Sequence, residues 1–362
     1  MDTRFWIFTI VLLSYLMLRG SANKESAKRK LVIIACGLLA LESGLRHVCV
    51  GPDTFGYYGF FQKDASTPWQ LVLAGLLVDG SDFRDPGYSI LSKAFSTIIP
   101  SWQLYLVALA GLFFLSLGRL WNRYIASLEG VLFATTLFIA LFHIIVLSGM
   151  RQQITMSLSM LLIPYLEERK WKIVLPTIAV GFLIHASFVF YLAFIPFYVL
   201  KKDRFKLFLT IAILLIPFVA VSARSIVAFM ASQMSNDYYM GYAQSTAEGN
   251  PYTYIALCTS ISIFFLFNYQ MFKTAPVFMK AAAVMMTLAV PLIVLDGSMI
   301  RIGQYFTIYM MLSLPYIVDY TYSKNMYLGM IVILCFLTYI QPQTYHFFWE
   351  TLSGYDFEPF GI

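Results

Sequence analysis

Twelve predominantly apolar runs separated by short polar connections dominate this chain, and no other feature restricts its fold as much. They lie near Trp6–Leu18, Leu31–Val48, Trp102–Leu117, Val131–Leu147, Ile154–Leu166 and Ile173–Leu183, then near Ser187–Val199, Leu207–Val221, Tyr254–Tyr269, Pro276–Leu295, Ile302–Ile317 and Met326–Ile340. One hydrophobic core cannot bury that much contiguous apolar sequence. The charged residues needed to cover the rest are missing, since 12% of 362 residues are Asp, Glu, Lys or Arg, against about a quarter in ordinary globular chains. Lipid is the solvent that fits, and helices satisfy their own backbone there. The expectation is an all-α polytopic integral membrane protein of about 10–12 transmembrane helices, forming a single membrane domain over residues 1–362.

The net charge of +6 does not point to nucleic acid, because the basic residues fall in short clusters between apolar runs. Lys24, Lys28, Arg29 and Lys30 follow the first run. Arg119 and Arg123 come next, then Arg169, Lys170 and Lys172, then Lys201, Lys202, Arg204 and Lys206. With twelve crossings all these clusters share one side with Lys273, Lys280 and Lys324, which the positive-inside rule makes cytoplasmic. Both termini are then external. The first run has few basic residues ahead of it and many behind it, so it reads as a span rather than a cleaved signal peptide. Cys36, Cys49, Cys258 and Cys335 lie in or beside apolar stretches without CxxC spacing, which indicates neither a disulfide framework nor a zinc site.

This topology sorts a small set of polar residues onto the outer face. The segment 49–101 is expected to be a large external loop carrying Asp53, Lys63, Asp64, Asp79, Asp82, Arg84, Asp85 and Lys93 among Tyr57, Tyr58, Trp69 and Tyr88. Within it Leu71–Val78 is too short to cross and is expected to lie in the interface or re-enter. Further external turns carry Met150-Arg151-Gln152-Gln153, His185, a Tyr-rich stretch at Asp237–Asn250 and the segment Asp296 to Arg301.

Arg151 and Arg301 each stand where one apolar run ends and another begins, an expensive position for a guanidinium. Either alone is as readily a headgroup anchor. Together with Arg84 on the same side they would form a cationic pocket able to grip a diphosphate through forked hydrogen bonds. His185 is the third candidate, as a base toward a hydroxyl, as a phosphate donor, or as a satisfied packing histidine. His143, mid-run, reads as structural. Glu42 and Arg46, four apart, are expected to pair with each other.

Five short motifs, taken in order, resemble the EpsG family of polytopic proteins, which is similar to the Wzy-type O-antigen and exopolysaccharide polymerases. They are Gly51-Pro52-Asp53-Thr54-Phe55-Gly56-Tyr57, Arg84-Asp85-Pro86-Gly87-Tyr88, Met150-Arg151-Gln152-Gln153-Ile154, Leu183-Ile184-His185-Ala186-Ser187 and Arg301-Ile302-Gly303-Gln304-Tyr305-Phe306. One departure stands out: Pro86 follows Asp85, where the family runs from the acid directly into Gly-Tyr.

The resemblance implies a GT-C-like glycosyltransferase in the bacterial inner membrane, with its active site facing the periplasm or exterior. It would move a growing glycan from polyprenyl diphosphate onto a lipid-linked repeat unit. Donor and acceptor are then undecaprenyl-diphosphate-linked oligosaccharides, membrane lipid is the environment, and a chain-length regulator protein is a candidate partner. Stabilising the departing diphosphate is the central task. No Asp-x-Asp, His-rich or Cys-rich cluster offers metal ligands, so guanidinium chemistry without a cofactor or metal is expected. Arg151 and Arg301 carry that role, His185, Asp53 or Asp85 takes the acceptor proton, and Arg84, Gln152, Tyr57, Tyr88 and Tyr305 contact substrate, with Trp69 or Trp102 as stacking platforms.

Three other functions fit a chain of this kind. A transporter or flippase of lipid-linked oligosaccharide would show internal repeats, which the two halves lack, although Pro176, Pro196 and Pro291 interrupt spans. A membrane acyltransferase would use an intramembrane histidine such as His143 but leaves the outer arginines without a role. The O-antigen ligase has nearly the same chemistry and is separated only by motif order.

Overall fold

The computed structural model describes residues 3–51, 53–76, 85–200, 204–233, 252–295 and 299–321, and all regular structure among them is helical. Among these residues four helices are long and apolar enough to cross a membrane: Trp102–Tyr124, Leu128–Leu147, Phe205–Phe229 and Val277–Val294. Four shorter apolar helices accompany them, Thr3–Leu18, Trp171–Ile184, Ala186–Val199 and Tyr254–Phe267. The run Met326–Ile340, the stretch 237–250 and Arg84 lie outside the described residues.

The chain divides into two compact units. The first contains residues 1–161 and 179–188. Its elements are α1 (Thr3–Leu18), α2 (Lys24–Gly44), α3 (Thr54–Ser66), α4 (Trp69–Ala74), α5 (Pro86–Ile98), α6 (Trp102–Tyr124), α7 (Leu128–Leu137), a π-helical turn (Phe138–Phe142), α8 (His143–Leu147), the start of α9 (Met150–Glu167) and the end of α10 (Trp171–Ile184). Helix starts follow capping chemistry. Asn23 accepts from Ser26 N at 2.9 Å, Ser101 from Leu104 N at 3.4 Å, and Ser127 from Gly130 N at 2.9 Å, each occupying one of the orphan amides of the first turn.

Helices α2 and α6 run antiparallel and touch through small residues. A Cβ on Gly44 would lie 3.0 Å from Val107 Cα, and one on Gly118 would lie 3.3 Å from Cys36 Sγ. Lys28, buried, donates to the Asn122 and Ile125 carbonyls at 3.1 and 3.0 Å and so caps the end of α6. Deeper in the unit Glu42 takes His143 Nε2 at 2.7 Å and Thr3 Oγ1 at 3.0 Å. Arg46 donates to the Ser43 carbonyl and hydroxyl. The expected Glu42–Arg46 pair is therefore replaced by two separate attachments. The π-helical turn just before His143 supplies the extra residue that turns His143 toward α2.

The segment expected to form a large loop is helical and packed rather than extended. α3 and α5 lie together, and Phe61, Tyr88, Tyr105, Met150, Ile154 and Ile184 form one buried cluster with Tyr57, Phe95 and Trp102 against it. Phe61 stacks on Tyr105 with centroids 5.1 Å apart, and Trp102 meets both edge-on or tilted. Trp102 is thereby an anchor of this cluster. α4 is a six-residue helix with Leu71 and Leu73 exposed, as an interfacial segment requires.

In the second unit the stripe Ala281–Ala282–Ala283 is buried, which lets its neighbours approach closely. Phe265 stacks on Phe272 at 4.6 Å, and Phe205 packs against Phe272 at 5.0 Å. Ser262 and Thr287 hydroxyls hydrogen-bond at 2.7 Å, and Tyr198 donates to Glu167 at 2.9 Å. These are the polar links expected between helices that lipid cannot solvate.

Gly51 fixes how the outer loop leaves α2. Its φ is +95°, and a Cβ there would lie 1.8 Å from the Leu147 carbonyl oxygen. Thr54 Oγ1 donates to that same oxygen at 2.9 Å. A side chain must displace this junction and adopt a backbone conformation disfavoured for L-residues. Gly51→Ala is expected to cost about 3 kcal/mol or more, read as a large fall in the melting temperature of detergent-purified protein. An unchanged melting temperature would contradict this role.

Candidate active site

The site grows from Arg151, in the first turn of α9. Its side chain is 13% exposed, and Nη1 meets Asp85 Oδ2 at 2.5 Å. The guanidinium carbon lies 5.5 Å from the Tyr57 ring centroid and 5.3 Å from both Phe60 and Tyr88. Taking a lone guanidinium out of water costs several kcal/mol. One close carboxylate and three ring faces, each worth about 0.5–2 kcal/mol, offset it. Arg151 Nε is buried without a hydrogen-bond partner, so one edge of the guanidinium is held while a donor on the other is not.

Asp85 stands next to the residue that departs from the family pattern. Pro86 occupies the first turn of α5, where a missing N–H costs nothing, and Asp85 stands in the capping position without making a cap hydrogen bond. Its carboxylate is thus left for Arg151 and for His185, whose Nδ1 lies 4.0 Å from Oδ2. Gly87 allows the approach: a Cβ there would fall 2.8 Å from the Leu183 carbonyl carbon, so only glycine lets α5 meet the end of α10. His185 follows that end directly, with its N–H bonded to the Gly181 carbonyl at 2.8 Å. Gly181 in turn has the Phe188 ring where a side chain would be.

Burial alone would raise the Asp85 carboxyl. The neighbouring His185 imidazole and the charge of Arg151 outweigh it and hold the group below the ordinary carboxylate range. Asp64, on α3, goes the other way: burial raises it, against the opposing influence of the nearby Ser92 and Ser89 hydroxyls.

The expected site residues distribute unevenly. Arg151, Asp85, His185, Tyr57 and Tyr88 come together. Asp53 stands at the start of α3, half-buried, one turn before Tyr57, whose N–H bonds to the Asp53 carbonyl at 3.1 Å. Gln152 is buried and packs under Gly149. Arg301, partly buried, and Tyr305, fully buried, lie on the helix Ile300–Thr307 of the second unit. Arg84 lies outside the described residues. Among the described residues no group of three or more His, Cys, Asp or Glu gathers at metal-ligand distance.

Three residues were overlooked in the sequence. Phe60 completes the ring cage, and Asp64 lies beneath it. Their spacing from Tyr57, three and seven residues on, was the available signal, since it puts all three on one face of α3. Arg46 is buried with Nε and Nη2 unpartnered, and its place beside Glu42 in the sequence concealed that.

A family model matches residues 29–356, covering every motif that meets at Arg151. The chain belongs to the EpsG family. Membership makes it a polysaccharide polymerase-like, multi-pass membrane protein whose substrates are in general lipid-linked sugars. Comparisons with curated proteins and with solved structures returned no match. In this EpsG-family chain the Arg-Gln pair and the acid before Gly-Tyr are joined by a direct ion pair.

Asp85→Asn leaves Arg151 buried without its counter-charge, with an expected loss of about 3 kcal/mol. Because the folded-state carboxyl is held low, this contribution is complete above the unfolded value near ~4 and disappears as pH falls through the lower folded value. The melting-temperature gap between wild type and Asp85→Asn should stay constant from neutral pH to about 5 and close only below ~4. A gap that closes near neutrality would contradict the assignment.

Proposed function

We propose that this EpsG-family chain is a repeat-unit polymerase of the Wzy type. It transfers a growing glycan from undecaprenyl diphosphate to a hydroxyl of the next lipid-linked repeat unit at the outer face of the inner membrane, in a GT-C-like glycosyltransferase architecture. The observation that carries this reading is Arg151, gripped on one side by Asp85, ringed by Tyr57, Phe60 and Tyr88, and retaining a donor with no partner.

In the reaction the acceptor oxygen bonds to the anomeric carbon as the bond from that carbon to the diphosphate breaks. The electron pair leaves with the diphosphate, and Arg151 stabilises it as it develops, in a setting too apolar for water to do so. The acceptor proton goes to His185. Asp85, held ionised and therefore a poor base at neutral pH, acts through His185: its carboxylate, 4.0 Å from Nδ1, stabilises the imidazolium that forms as the ring takes the proton. Tyr57, half-buried, offers its hydroxyl to the sugar and phosphate groups, whereas Tyr88, buried with its hydroxyl donating to Met150 Sδ at 3.8 Å, acts through its ring against Arg151. Arg301 is assigned as a second diphosphate ligand on its motif, with Tyr305 beside it in sequence, and Arg84 and Gln152 as further substrate contacts. Asp53 is the alternative proton acceptor.

Arg151→Lys keeps the charge but loses the fork, so cells carrying it should accumulate single lipid-linked repeats and lose long glycans, with about a hundredfold or greater loss of extension. Arg301→Lys should do the same. His185→Ala should reduce extension by about two to four orders of magnitude and Asp53→Asn should not. Normal glycan length distributions in the Arg151 and His185 variants would overturn the proposal.

A further inference from the structure

A cleft of about 880 Å³ opens between α2 and α6, away from Arg151 and from every residue assigned above. Its apolar floor is made of Val32, Cys36, Gly37, Ala40, Gly111 and Leu115. Gly37 and Gly111 create the hollow: a Cβ on either would meet nothing within 4 Å. From Arg29 to Ala40 the lining repeats along one face of α2, and eleven residues of helix rise about 16 Å. That is close to half of a hydrocarbon core about 30 Å thick, the depth of one leaflet. Since α6 is a membrane span, an acyl chain is what fills such a hollow.

One end of the cleft is charged. Arg29, Arg119 and Arg123 line it together with Glu25 and Asn122. Glu25 is committed to Lys28 at 3.0 Å and Arg29 at 3.2 Å. No ion pair among the described residues engages Arg119 or Arg123, which are both exposed and one helical turn apart on α6. Between them Asn122 holds its side-chain carbonyl buried without a hydrogen-bond donor. A mouth with two guanidinium groups outside any ion pair, that of Arg123 lying over the Tyr124 ring at 5.4 Å, and one unmet acceptor, above an acyl-sized hollow, matches a ligand with a single phosphate charge and a hydroxyl to donate. These basic residues are also those that the positive-inside rule puts on the cytoplasmic side.

We propose that this cleft is a binding site for phosphatidylglycerol. The acyl chain lies over Gly37 and Gly111, the phosphodiester between Arg119 and Arg123, and a glycerol hydroxyl donates to Asn122. Full-length protein purified in detergent would be incubated with phosphatidylglycerol, phosphatidylcholine and phosphatidic acid of identical acyl chains, and retained lipid counted by native mass spectrometry. Phosphatidylglycerol should exceed phosphatidylcholine by about tenfold, a ratio expected of one to two lipid–arginine contacts at a membrane surface. It should also exceed phosphatidic acid, which has the charge without the hydroxyls. Arg119→Gln with Arg123→Gln should bring the first ratio to about one. Gly37→Leu with Gly111→Leu should lower all three lipids several-fold while the melting temperature shows a folded protein. Equal retention of phosphatidylglycerol and phosphatidylcholine, a ratio unmoved by the arginine pair, or full retention in the filled-cleft variant would overturn the site. Equal retention of phosphatidic acid would overturn the role of Asn122.

Discussion

A guanidinium cannot be buried near a membrane unless something nearby answers its charge, and the packing of α3, α5 and the start of α9 is organised around answering that of Arg151. Asp85 supplies the opposite charge at 2.5 Å, and the rings of Tyr57, Phe60 and Tyr88 supply their negative faces. Remove the carboxylate and the helix α9 would begin with an unpaid charge inside an aromatic cluster. Keep it, and α3, α5 and α9 are tied to one point. Under the proposed function the same arrangement would serve chemistry, because a guanidinium held rigidly by one partner needs no reorganisation when a second anion forms beside it.

Close backbone approach makes that convergence possible. Gly51 lets the loop after α2 press on the Leu147 carbonyl, which sets the turn leading to Arg151. Gly87 lets α5 press on Leu183, which carries Asp85 toward His185. Each glycine belongs to one of the motifs that relate the chain to its family, so those motifs encode where the backbone must pass as well as which side chains meet. Pro86, the point of departure from the family pattern, is compatible with this geometry because it sits at a helix start, where proline is favoured.

The membrane character and the helical class were legible in the run lengths and the low charge, because lipid leaves the backbone few alternatives. Arg151, Asp85 and His185 were marked as candidates by charge at the end of an apolar run and by motif order. Their juxtaposition was not legible, since residues 66 and 100 positions apart meet only through tertiary packing. Phe60 and Asp64 were readable as the continuation of the Tyr57 face of α3, but a loop expected to be solvated gave no reason to apply helical spacing. Glu42 and Arg46 misled for a related reason: helical spacing brought them together on paper, whereas His143, 101 residues away from Glu42, makes the stronger hydrogen bond.

The account stands or falls on whether Arg151 stabilises a departing diphosphate during glycosyl transfer. Purified wild-type protein and the Arg151→Lys variant, incubated with a synthetic polyprenyl diphosphate repeat unit with and without chelator, test this directly when the products are resolved by length. A ladder of oligomers that survives chelation with the wild type and vanishes with the variant is the predicted result. Substrate carried across vesicle membranes with no oligomers formed, or a ladder of equal length from the variant, would contradict it.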